Sequence, residues 1–143
     1  MTGFLGSYRH QLDEKGRIAL PASFRRSAAD EGFVLIQGDE SSLFLYPERA
    51  WAEVEERLGE LRRRNPEARS QVLSLTANAV EVVPDKQGRI LIPERLQRAA
   101  QLEGEALVVG VLEKIEIWNP DLFEGATREA KPGFEQFVRQ ILA

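Results

Sequence analysis

The chain has 143 residues, 43% of them hydrophobic, which suits one ordinary domain or two very small ones with a real core and excludes wholesale disorder. Its formal net charge of −4, from 19 basic and 23 acidic residues, excludes a protein that coats polyanions through general positive charge. The absence of cysteine excludes a disulfide scaffold and thiolate metal sites, and fits a reducing compartment.

From the start, Met1–Gly6 has neither a basic leader nor a long apolar run, and no stretch approaches the ~18 apolar residues of a membrane span, so a soluble, unexported, cytoplasmic chain is expected. Tyr8–Leu12 and Ile18–Leu20 are β-prone and flank Asp13-Glu14-Lys15-Gly16-Arg17, which predicts a hairpin. Pro21 fits the first position of a short helix with Phe24 and Ala28 on its apolar side, and Gly32 fits its end. Phe33–Ile36 and Leu43–Tyr46 predict a second hairpin. Ala50, Trp51, Val54, Leu58 and Leu61 recur at helical spacing, with Glu53/Arg57 and Glu60/Arg64 as i,i+4 pairs on the outer face. Arg62–Arg64 closes this amphipathic helix and is read as a solvated end that complements the helix dipole rather than a second basic binding patch. Pro66 biases Asn65 away from helix, placing a boundary near residues 64–72 and dividing the chain into 1–68 and 69–143.

The second division repeats the first. DEKGRIALPASF at Asp13–Phe24 matches DKQGRILIPERL at Asp85–Leu96 at an offset of 72 residues, and the register continues without a gap to Leu43-x-Leu45-Tyr46 against Ile115-x-Ile117-Trp118. The same elements are therefore predicted again: Val80–Val83 and Ile90–Ile92 around the loop, a helix from Pro93 ending by Gly104, and a hairpin of Ala106–Leu112 with Ile115–Trp118. Phe134, Phe137, Val138 and Ile141 mark a terminal helix. The two amphipathic faces are read as intra-chain packing first and subunit interface second.

In both loops Gly16 and Gly88 suit the positive φ of a tight turn, and Asp13 and Asp85 suit bonds forward to loop amides, so these four are loop-structuring residues. Arg17 and Arg89 follow at a fixed place, open either to pairing with their own loop aspartate or to contact with a ligand. His10, the only histidine, lacks companions for a metal site or a catalytic triad. Neither a nucleophile with its base nor a phosphate-cradling glycine loop occurs; no enzyme, cofactor, metal or small-molecule ligand is expected.

Two Asp-x-x-Gly-Arg-[Ile/Leu]-x-[Ile/Leu/Val]-Pro loops, separated by an amphipathic helix in a chain of this length, resemble the MraZ family. Each half alone resembles the SpoVT–AbrB type of swapped-hairpin barrel. The resemblance covers essentially the whole chain. It implies a mainly β fold with peripheral helices, built as two tandem AbrB-like half-barrels packed as a pseudo-two-fold pair. The duplication favours closure within one chain over exchange of halves between neighbours. It also implies a ring-shaped homo-oligomer at the nucleoid that binds double-stranded DNA at short direct repeats, upstream of the operon for division and wall synthesis. By the same resemblance Arg17, with Lys15 and Arg9, and in the second loop Arg89 with Lys86, are the expected DNA contacts.

From Arg9 to Arg26 five basic residues face two acids, whereas from Glu81 to Arg98 four face three. Phosphate neutralisation supplies much of DNA affinity, so the N-terminal loop is expected to be the principal reader. The alternative is an oligomeric scaffold, or an antitoxin-like protein-binding module, that does not bind DNA.

Overall fold

In the computed structural model, residues 3–28, 31–39 and 41–142 are described. The N-terminal half comprises β1 (Phe4–Gln11), β2 (Arg17–Ala19), α1 (Ala22–Ser27), β3 (Phe33–Gln37), β4 (Leu43–Pro47) and α2 (Glu48–Arg64). A single 3-10 turn, Pro66–Ala68, leads to α3 (Arg69–Ala77). Then come β5 (Val80–Val82), β6 (Arg89–Leu91), α4 (Glu94–Ala99), β7 (Glu105–Leu112), β8 (Lys114–Trp118), α5 (Pro120–Arg128) and α6 (Phe134–Leu142). The fold is mainly antiparallel β with helices at the periphery, as expected. No helix among the described residues is long and apolar enough to cross a membrane.

Six strands form one antiparallel sheet in the order β1-β7-β8-β4-β3-β5, and β2 and β6 form a separate pair. The hairpins β3–β4 and β7–β8 are present as predicted. The expected pairing of Tyr8–Leu12 with Ile18–Leu20, and of Val80–Val83 with Ile90–Ile92, is not. Instead β1 pairs with β7, β5 with β3, and β2 with β6, so each motif loop joins two strands whose partners lie in the opposite half. The halves interlock within one chain.

The offset of 72 residues is a pseudo-two-fold axis. Ile18 lies opposite Ile90 in the small pair, and Phe44 lies opposite Glu116 where β4 meets β8. In each case a residue faces its own duplicate position. Glu116 receives the indole N–H of Trp118 at 2.8 Å and the ammonium of Lys114 at 3.1 Å, while Lys114 also sits 4.5 Å from the centre of the Phe44 ring. That carboxylate is thus paired and hydrogen-bonded where burial would otherwise be costly.

One core serves both halves. Ile18, Leu20, Phe24, Leu35, Leu43 and Leu45 are buried in the same cluster as Ile90, Ile92, Leu96, Val108, Ile115 and Ile117. A repeat of this size is marginal alone, and the shared core removes that limit. The strand residues follow the period of two that puts alternate side chains inward, clearest in Leu43, Leu45 and Pro47 of β4.

Three local expectations change. Pro21 and Pro93 precede their helices rather than open them: the carbonyl of Pro21 accepts from the N–H groups of Phe24 and Arg25, and that of Pro93 from Leu96 and Gln97. The helices stop at Ser27 and Ala99, ahead of Gly32 and Gly104, six residues each being enough to place Phe24 and Leu96 in the core. The apolar face of the terminal helix stays largely exposed, with only Val138 half-buried. Helix α5 already lies against the sheet, with Phe123 5.6 Å from Trp118, and α6 leaves Phe134, Phe137 and Ile141 more than half exposed. Most of the α2 face packs as expected: Trp51, Val54 and Leu58 are half-buried, with Trp51 5.9 Å from Tyr46, whereas Leu61 stays exposed.

A shared core predicts a single cooperative unfolding. In Trp51→Phe and in Trp118→Phe, the remaining tryptophan's fluorescence should give the same denaturant midpoint as the far-ultraviolet circular dichroism of that same variant. Ile18→Ala should lower stability by about 2–5 kcal/mol in both reporters, because the cavity lies on the axis.

Candidate nucleic-acid interface

Each motif loop is wired by one aspartate. Gly16 N–H donates to the carbonyl of Asp13 at 3.0 Å, and Asp13 N–H donates to the carbonyl of Arg17 at 3.0 Å, closing the turn. The Asp13 carboxylate accepts from the N–H of Lys15 at 3.0 Å and of Arg17 at 2.8 Å through one oxygen, and from Arg17 Nε at 2.6 Å through the other. Asp85 repeats this with Gln87 N–H, Arg89 N–H and Arg89 Nε at 2.9, 2.9 and 3.0 Å. Both aspartates therefore structure their loops, and intraloop Asp–Arg pairing is present in both.

The Arg17 N–H, more than any other group, holds the Asp13 carboxyl below the usual carboxylate range. It outweighs an opposing effect of partial desolvation, and the Arg17 side chain and Lys15 N–H add to it. Asp85 is lowered in the same way, chiefly by the Arg89 N–H.

The two loops lie side by side. The Asp13 carboxylate is 3.8 Å from Arg89 Nη1 as well as bound to Arg17, so three charged side chains of the two motifs share one cluster. Leu20 N–H donates across the axis to the carbonyl of Gly88, and Ile92 N–H to that of Gly16, each at 2.9 Å. Gly16 and Gly88 have φ of +87° and +81°. A side chain at Gly16 would also run into the Gln97 amide and one at Gly88 into the Arg25 guanidinium. Conformation requires glycine at both positions; the ends of the Gln97 and Arg25 side chains can swing aside, and only at Gly16 does backbone, the Ile92 carbonyl, also crowd the site.

Lys15 and Lys86 stand at the exposed tips, and no ion pair among the described residues engages either. Arg17 and Arg89 are about one-third exposed. Arg9 is turned elsewhere, to an exposed pair with Glu105 at 3.0 Å. Two residues outside the motif complete the site. Arg25 of α1 donates from Nε to the carbonyl of Leu20 at 3.3 Å and lies against Gly88; Gln97 of α4 donates to the carbonyl of Ile92 at 2.7 Å and lies against Gly16. Counting charge along the chain thus misassigns it, since Arg25 belongs in space to the opposite loop. Among the described residues no cluster of His, Asp or Glu is placed to hold a metal ion.

A family model described as "MraZ protein, putative antitoxin-like" matches residues 4–73 and again 75–142. A protein of Desulforamulus reducens is 39% identical over 97% of this chain and 97% of its own length. Relatives in Desulfitobacterium hafniense and Pediococcus pentosaceus are 41% and 37% identical, each over 97% of this chain and 96% of their own. All three bear the name Transcriptional regulator MraZ, a regulator's name and not an enzyme's.

The lowered aspartates fix the sign of a pH effect. A carboxyl whose pKa falls on folding binds fewer protons in the folded state, so its contribution is full above the ordinary value of 3.8 and is lost as pH falls below it. Thermal unfolding of wild type and of Asp13→Asn/Asp85→Asn should differ by a constant margin from neutral pH down to that value, and converge in more acidic buffer.

Proposed function

This chain belongs to the MraZ family, and from that premise we propose that it is a transcriptional regulator that binds double-stranded DNA through its two paired motif loops. The observation that carries the reading is the juxtaposition of two identically wired turns. Each presents an arginine anchored at Nε, the inner nitrogen of the guanidinium, with a lysine at or next to the tip. An arginine held in this way has already lost much of the roughly 2 kcal/mol of rotamer entropy it would otherwise give up on binding. Its outer amino groups are the ones suited to guanine or phosphate.

In this reading Arg17 and Arg89 contact the duplex, Lys15 and Lys86 neutralise phosphate, and Arg9 contributes once released from Glu105, an exposed pair worth little by itself. Asp13, Asp85, Gly16 and Gly88 hold the loops. Residues 1–68 and 69–143 are the two repeat units. The target is a set of short direct repeats upstream of the operon for division and wall synthesis, and the protein acts in the cytoplasm at the nucleoid.

Direct repeats call for subunits related by something other than a lone two-fold, and neighbouring subunits of a ring satisfy that geometry. The exposed apolar residues of α6 supply surface for such self-association. Several loops on one body would raise the effective concentration of each contact after the first, while the acidic remainder limits non-specific binding. The competing reading, a protein-binding module of antitoxin type, is favoured by the same exposed helix and by the wording of the family description.

The test is a salt-titrated binding assay with duplex from upstream of the protein's own gene and unrelated duplex as competitor. Wild type should bind the first tightly and lose affinity steeply with salt. Arg17→Ala should lose about 1–3 kcal/mol of preference for the specific duplex. Equal indifference to both duplexes would replace this reading with the protein-binding one.

A further inference from the structure

We propose that the two motif loops are unequal, and that Arg25, carried across the pseudo-two-fold axis on α1, makes the Asp85–Arg89 loop the principal phosphate anchor. This rests on the DNA-binding reading above. Within the N-terminal loop Asp13 and Glu14 balance Lys15 and Arg17, leaving no net charge. Within the C-terminal loop Asp85 stands against Lys86 and Arg89, leaving one positive charge. The structure then adds Arg25 to the second loop and Gln97, which is neutral, to the first. Asp13 reaches Arg89 only at 3.8 Å, against 2.6 Å to Arg17, so the surplus positive charge of the paired loops lies on the C-terminal side, opposite to the order given by counting along the chain.

The charge of Arg25 is not needed for the fold. Positions 25 and 97 are duplicates at the offset of 72, and both side chains perform the same task, donating to the carbonyl at the end of the preceding strand. At 97 an uncharged amide does this with the shorter bond, 2.7 Å against 3.3 Å. No carboxylate among the described residues forms an ion pair with Arg25, whereas Arg17, Arg89 and Arg98 all have one. Arg25 is half-buried against the backbone of Gly88, where a charge is screened less than at an exposed side-chain tip. A cation whose structural role a neutral residue fills equally well, with no counter-ion among the described residues and beside a turn of net positive charge, is suited to a phosphate.

The experiment exchanges the duplicates. Arg25→Gln installs the residue that already works at the equivalent place, so the fold should survive, as checked by its unfolding midpoint. Against duplex from upstream of the gene, its plot of log affinity against log salt should flatten by about 0.9, one phosphate contact. Affinity for unrelated duplex should fall by a similar factor, since a phosphate contact carries no sequence information. Arg25→Lys should keep most of the slope. Gln97→Arg should steepen it by about the same amount by supplying the cation the N-terminal loop lacks. An unchanged slope in Arg25→Gln, with wild type binding DNA in a salt-dependent way, overturns the inference and leaves the DNA reading standing. Salt-independent or absent binding by wild type overturns both.

Discussion

Two backbone hydrogen bonds across the pseudo-two-fold axis, Leu20 N–H to Gly88 and Ile92 N–H to Gly16, tie everything else together. They hold β2 against β6 and set each motif loop against the helix of the opposite half. They also stack Ile18 and Ile90 at the centre of the common core. Because the strands before and after each loop find their partners in the other repeat, neither repeat completes its sheet without the other. A backbone polar group buried without a partner is costly, so an interlocked arrangement of this kind is strongly specified.

The turns themselves are held less by opposite charges than by amide donors. Exposed ion pairs contribute modestly, and the Asp–Arg pairs are about one-third exposed. What fixes each turn is one carboxylate taking two backbone N–H groups, a charge-assisted arrangement of the stronger kind. The side-chain bond to arginine is then an orientation device. It aims the guanidinium while leaving it exchangeable.

The duplication, the turn chemistry and the strand positions were legible in the sequence because they rest on local signals: Gly at positive φ, Asp two and four residues ahead of the amides it binds, and β-prone runs on either side. Partner choice was not. A turn closed by Asp13 and Arg17 looks the same whether the flanking strands pair with each other or diverge, and tertiary packing alone decides. Helix α3 was missed because Arg69–Ala77 has no apolar stripe. Helix α5 was missed although Asn119 caps it and Pro120 opens it, a signal available in the sequence. The roles of Arg25 and Gln97 were invisible for the same reason as the strand swap: each side chain serves a loop about 60 to 80 positions away.

The pair Phe44–Glu116 shows what joining two copies in one polypeptide permits. In a symmetric homodimer a residue on the axis must meet itself, so a carboxylate there would confront another carboxylate, and any substitution would strike both sides together. Here one side has kept an aromatic ring and the other an acid with its own lysine and indole donor, an arrangement that self-complementarity forbids. Covalent linkage has released the axis from having to be its own mirror. The centre of the sheet can diversify without the pairing that surrounds it being lost.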